Sequence, residues 1–149
     1  MKSNKVLILS ILICSFDQLT KFIATKIIPA TYSPILPGLV RFNLVKNKGA
    51  AFSILSGFPL LLSIVSLTVA LVLFLLISSR SSFSLYNGLG LAFLLGGTLG
   101  NGLDRWRLGH VLDFIQLIPI NFPIFNFADL SINIALIYIL FDTLTRKGI

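Results

Sequence analysis

Residues 58–77 read FPLLLSIVSLTVALVLFLLI, 20 residues without a single charge. At about 1.5 Å of rise per residue, a helix of that length matches the roughly 30 Å hydrocarbon core of a bilayer. Three further windows surround it. Residues 6–28 are apolar but for a polar group formed chiefly by Asp17, Gln18, Lys21 and Lys26. Residues 83–103 are uncharged and rich in glycine, and residues 125–141 are shorter, with Asp129 near the start. The pattern predicts an all-α integral membrane protein with four transmembrane helices, a single membrane domain over residues 1–149, and both termini on one side.

Composition supports lipid as the solvent. Hydrophobic types make up 56% of the chain and charged types 11%, with a mean hydropathy of +0.96. A soluble domain carries about a quarter charged residues, so a soluble enzyme, a secreted disulfide scaffold and a disordered tail are all excluded. The net charge of +7 comes from Lys and Arg scattered between apolar runs. That placement suits anionic lipid headgroups rather than nucleic acid, which is met by a continuous basic stripe. Cys14 is the only cysteine, so no intramolecular disulfide forms. Lys2 and Lys5 followed by VLILSILIC at 6–14 have the look of a signal peptide. Bulky Leu12 and Ile13 stand where a cleavable segment carries small residues, so a retained first span is expected.

The connections are polar or broken by proline. SSRSS at 78–82 makes a short turn between the second and third windows. The loop at 29–57 contains Pro29, Pro34 and Pro37, and within it LVRFNLVKN (39–47) partly alternates as a half-buried strand does. GAAFSILSG (49–57) suits a short helix on the membrane surface, and residues 104–124 form a second loop, with Pro119 and Pro123. Charge leaves sidedness open. Lys2, Lys5, Arg80, Arg146 and Lys147 fall on the side of the termini, and Lys26, Arg41, Lys46, Lys48, Arg105 and Arg107 on the other.

Ionisable groups inside membrane spans cost about 2.5–3.5 kcal/mol each on insertion scales, which makes them candidates for function. Asp17 and Lys21 lie four apart on one helical face, acid first, the favourable order for an ion pair. A structural role is expected for them. Gly88, Ala92, Gly96 and Gly100 recur every fourth residue, so another helix can approach closely there. Gly97, Asn101 and Arg105 form the adjacent stripe, and Asp104 ends the window. Asn126, Asp129 and Asn133 share a face at the start of the fourth window, and Asp113 lies in GHVLDF at 109–114.

If the chain after Asp113 runs along the surface and returns, Asp113 and Asp129 reach similar depth. Two close carboxylates share a proton, because like charges disfavour double ionisation. The ionised member then activates water while the protonated one polarises a carbonyl. Spacing alone equally allows two solvated interfacial acids, or acids paired with Arg105 or Arg107. Other chemistries are poorly supplied. His110 is the only histidine, HExxH and GxSxG are absent, and GGTLGNG (96–102) lacks the lysine of a phosphate-binding loop. A proton or solute relay through the acids, and a purely structural membrane subunit, remain as alternatives.

Five segments in order carry a resemblance: DQLTK (17–21), NKGAAF (47–52), GNGLDR (100–105), GHVLDF (109–114) and FNFAD (125–129). Together they resemble lipoprotein signal peptidase (signal peptidase II), a bacterial membrane aspartic protease. The resemblance implies four transmembrane helices in the bacterial cytoplasmic membrane with cytoplasmic termini. It also implies a small extracytoplasmic β-cradle, a short surface helix and an active site toward that face. By the same resemblance Asp113 and Asp129 are the catalytic pair, and Asn47, Asn101, Arg105 and Asn126 position substrate or support the carboxylates. Asp17, Lys21 and Asp104 are structural polar residues. The implied substrate is a diacylglyceryl-modified prolipoprotein cut on the amino side of its lipidated cysteine, by a monomer among membrane lipids that uses no cofactor and no metal.

Overall fold

The computed structural model describes residues 1–28, 33–49, 55, 57–120 and 122–146. Among them, four helices and three strands follow in the order α1 (Ser3–Ile27), β1 (Ser33–Leu36), β2 (Val40–Asn47), α2 (Pro59–Ser78), α3 (Leu85–Leu108), β3 (Val111–Leu117) and α4 (Phe127–Arg146). By length and apolar composition, α1, α2 and α4 can each cross a membrane. The surface helix expected over 49–57 lies largely outside the described residues, as do Pro29 and Lys147.

The central helix is α3, packed against α1, α2 and α4. Its glycines explain how. A side-chain carbon on Gly96 would meet Ile13 Cβ at 2.7 Å, and one on Gly100 would meet Asp17 Oδ2 at 2.5 Å. The face with a period of four therefore receives α1. Gly90 and Gly97 form a second face, where added carbons would meet Ile139 Cγ1 and the Ala128 carbonyl at 2.6 Å each. That face receives α4. In both cases packing takes the place of the hydrophobic drive that lipid does not supply.

Residues Val6, Ser10, Cys14, Asp17, Lys21 and Ala24 form the buried face of α1, a helical spacing of three and four. An apolar core of Val6, Ala70, Leu73, Ile77, Leu91, Ala92 and Leu95 occupies the end nearer the termini. There the Met1 ammonium donates to the Phe83 carbonyl and the Ser84 hydroxyl donates to Asp142. Large apolar side chains elsewhere on α1, α2 and α4 remain exposed, Leu60 and Leu67 among them. Water does not tolerate so extensive an apolar surface on a monomeric protein, whereas lipid does.

The sheet caps the other end. Its order is β1-β2-β3, antiparallel throughout, with an irregularity in β2 between Phe42 and Val45. Strand β2 coincides with the expected LVRFNLVKN strand. Strand β3 was not anticipated within the 104–124 connection, and α3 runs on to Leu108 before it. Gly109 closes α3 in the left-handed region at φ 72°, a conformation that suits glycine, so only Gly109 and His110 separate the helix from β3. After β3 the chain turns back, and Phe125 pairs antiparallel with Ile115, which sets the start of α4 beside Asp113.

Candidate active site

The site forms where the C-terminal part of α3, the N-terminus of α4 and the inner face of the sheet meet. In an antiparallel pair, residues diagonal to one another share a face. Val45 pairs with Asp113 and Asn47 with Val111, so Asn47 and Asp113 are such diagonal neighbours. Asn47 Nδ2 donates to Asp113 Oδ2 at 2.9 Å. Asn126 Nδ2 donates to the other oxygen, Asp113 Oδ1, at 2.7 Å.

Asn126 also begins α4. Its side-chain Oδ1 accepts the Asp129 N–H at 2.9 Å, and its own N–H donates to Asp129 Oδ2 at 3.1 Å. This is a reciprocal cap of the kind that satisfies the orphan N–H groups of a first helical turn. Asn101 Nδ2 donates to Asp129 Oδ1 at 2.8 Å. All four carboxylate oxygens of Asp113 and Asp129 thus accept hydrogen bonds, and Asn126 binds both acids.

The two acids differ in surroundings. Asp113 is buried and Asp129 is half-buried. Burial, with the neighbouring Asp129 charge adding to it, pushes the Asp113 carboxyl from 3.8 up to about 6, against the opposing hydrogen bonds of Asn47 and Asn126. Asp129 stands in the first turn of α4, where the helix dipole favours negative charge. A carboxyl that holds its proton toward neutral pH, joined to a second carboxyl through Asn126, suits acid–base chemistry.

Behind the pair lies a buried ionic trio. Lys21 Nζ sits 2.8 Å from Asp17 Oδ2 and 2.9 Å from Asp104 Oδ2, and it donates to Asn101 Oδ1 at 2.9 Å. The expected Asp17–Lys21 pair is present, and Asp104 joins it. Among the described residues, Arg105 forms no ion pair with Asp113 or Asp129. Its guanidinium donates to the Gly49 carbonyl at 3.1 Å, and its Nε is buried without a hydrogen-bond partner among the described residues. Arg107 is exposed. Asn133, which shares the helical spacing of Asn126 and Asp129, is exposed and donates to the Asp129 carbonyl. Gln18 had no anticipated role, yet it donates to Asp104 Oδ1 at 2.9 Å and to the Gly100 carbonyl at 3.1 Å. Its place inside DQLTK, one residue from Asp17 in an apolar window, was the available signal.

A family model described as Signal peptidase (SPase) II matches residues 9–145. The chain belongs to the signal peptidase II family. A lipoprotein signal peptidase of Parasynechococcus marenigrum (strain WH8102) is 47% identical over 132 residues, covering 88% of this chain and 83% of that protein. One of Nostoc punctiforme (strain ATCC 29133 / PCC 73102) is 42% identical over 125 residues, covering 83% and 79%. A solved bacterial membrane enzyme superposes with a TM-score of 0.86 at 30% identity, covering 97% of this chain and 90% of its own. Signal peptidase II enzymes are membrane proteases, and this chain is a protease of that family, consistent with an aspartic type.

Proposed function

We propose that this signal peptidase II removes signal peptides from diacylglyceryl-modified prolipoproteins with Asp113 and Asp129 as its catalytic pair. The observation that carries the reading is Asn126, which donates to Asp113 at 2.7 Å and exchanges hydrogen bonds with Asp129 at 2.9 and 3.1 Å. Asp129 takes a proton from water as the hydroxyl adds to the scissile carbonyl carbon. Asp113 gives its proton to the amide nitrogen as the carbon–nitrogen bond breaks, and the pair exchanges protons with water to reset. The raised Asp113 carboxyl suits the acid role.

All four helices cross the bacterial cytoplasmic membrane in this reading, with cytoplasmic termini and the sheet as an extracytoplasmic cradle. The apolar signal peptide lies among the helices, and the acyl chains hold the modified cysteine at the interface near Asp113 and Asp129. Helical amides are shielded by their own hydrogen bonds, so the substrate unwinds locally beside Arg105, while Asn47, Asn101 and Asn126 hold the carboxylates. Arg105, whose Nε has no hydrogen-bond partner among the described residues, has a donor to offer a substrate carbonyl. The enzyme works as a monomer in contact with membrane lipid.

The test is cleavage of a synthetic lipobox peptide by the purified chain in detergent, with product masses identifying the bond. Scission on the amino side of the cysteine, in the diacylglyceryl peptide and not in its unmodified twin, is expected. Equal cleavage of both peptides, or scission elsewhere, contradicts the substrate assignment.

A further inference from the structure

The buried trio holds two main-chain groups as well as one another. Asp104 Oδ2 accepts the Leu112 N–H at 3.2 Å, and Asp17 Oδ1 accepts the Ala128 N–H at 2.9 Å. Leu112 immediately precedes Asp113, and Ala128 immediately precedes Asp129. Both N–H groups are of a kind that secondary structure leaves over. Strand β3 ends the β1-β2-β3 order, and Ala128 lies in the unpaired first turn of α4. Lys21 joins the two acids, and through Asn101 Oδ1 it turns the Asn101 amide so that Nδ2 faces Asp129.

We infer that Asp17, Lys21 and Asp104 form a clamp that sets the backbone of both catalytic aspartates, which makes them positioning residues for the reaction. Stability alone explains the trio poorly. Asp17, Lys21 and Asp104 are 0%, 2% and 3% exposed. Apolar residues of similar volume in place of so deeply buried an ionic group are often neutral or stabilising. What apolar residues cannot supply is a directed acceptor for each of two amides that come from elements far apart in sequence. Gln18 steadies Asp104 from its other oxygen, and the close approach of Gly100 to Asp17 leaves that carboxylate little room to move.

The inference rests on the proposed catalytic pair, and two readouts keep the questions apart. At positions 17 and 104, Asn keeps an acceptor oxygen while Leu keeps only the volume. Misplacing a reacting group by about 1 Å costs roughly 10²-fold in rate. Asp17→Leu and Asp104→Leu are therefore expected to lose about that factor in kcat at nearly unchanged KM. Asp17→Asn and Asp104→Asn, compared at equal folded fraction, are expected to keep kcat within ~5-fold of the parent. The second readout is amide hydrogen exchange at Leu112 and Ala128 in the full chain, which needs no substrate. Both amides are expected to be protected in the parent and in the Asn variants, and to exchange at least ~10-fold faster in the matching Leu variant.

Equal losses in Asn and Leu variants, a loss confined to KM, or rapid exchange at either amide in the parent overturns the clamp. If the parent cleaves nothing while exchange follows the expected pattern, the catalytic reading fails and the backbone grip stands.

Discussion

Asn126 and Asp129 cap one another across the first turn of α4, each backbone N–H donating to the other's side-chain oxygen at 3.1 and 2.9 Å. The cap leaves the Asn126 amide nitrogen free to reach Asp113 on β3. One side chain therefore fixes the acid of the helix relative to the acid of the strand. Asn126 is itself fully buried, and its amide also donates to Asn101 Oδ1 at 3.1 Å.

Removing the reach of Asn126 without removing the cap separates its two roles. Asn126→Ser keeps an N-cap oxygen and loses the donor to Asp113, so kcat is expected to fall roughly 10²-fold, with about 1–3 kcal/mol of stability lost from the buried oxygen left unpaired. Asn126→Ala loses the cap as well, and a further ~1 kcal/mol of stability is expected to go with it. Steady-state kinetics beside thermal melts in detergent check both.

The Asp113 carboxyl makes stability depend on pH. Its folded value of about 6 lies above the ordinary 3.8. Between those values the folded chain binds more protons than the unfolded one, so stability falls as pH rises through the window. The fall is on the order of 3 kcal/mol for the pair's upper step. Denaturation between pH 4 and 7 is expected to show that slope in the parent and to lose it in Asp113→Asn.

Two glycines of α3 are expected to respond differently to alanine. A Cβ at Gly100 would lie 2.5 Å from Asp17 Oδ2, whereas one at Gly102 would meet only Ser66 Cβ at 3.3 Å. Gly100→Ala is expected to destabilise by about 1–3 kcal/mol, as overpacking does. Gly102→Ala should stay within ~1 kcal/mol of the parent, helped by alanine's better helix propensity. Melting temperatures of the two variants decide it.

Sidedness is open to cysteine labelling. Cys14 is buried, so Cys14→Ser supplies a background for single cysteines. Ser81→Cys, in the α2–α3 turn, should label in spheroplasts only after permeabilisation. Ile118→Cys, just beyond β3, should label in intact ones. The reverse pattern inverts the proposed orientation.

The helices were legible because lipid imposes long uncharged runs, and the period-four glycine face announced a close helix contact. Strand β2 could be read from its alternation. Strand β3 could not, since VLDFIQL is apolar enough to pass for part of a connection near the membrane, and its partner lies more than sixty residues away. The acids illustrate the same limit. Spacing allows Asp113 and Asp129 similar depth only if the chain between them runs along the surface and returns, and it is the pairing of Phe125 with Ile115 that brings the start of α4 beside β3. The link from Lys21 to Asp104 and on to Leu112 joins α1, α3 and β3, and no local pattern encodes such a contact.

The assignment of Asp113 and Asp129 as the reacting pair is tested most directly by single-turnover cleavage of the diacylglyceryl peptide with chelator present. The parent runs beside Asp113→Asn and Asp129→Asn, each verified as folded. Chelator-resistant cleavage by the parent, reduced by at least ~10³-fold in both variants, is expected of a pair in which each carboxyl moves a proton. Cleavage by either folded variant within ~10-fold of the parent would mean that the chemistry lies elsewhere.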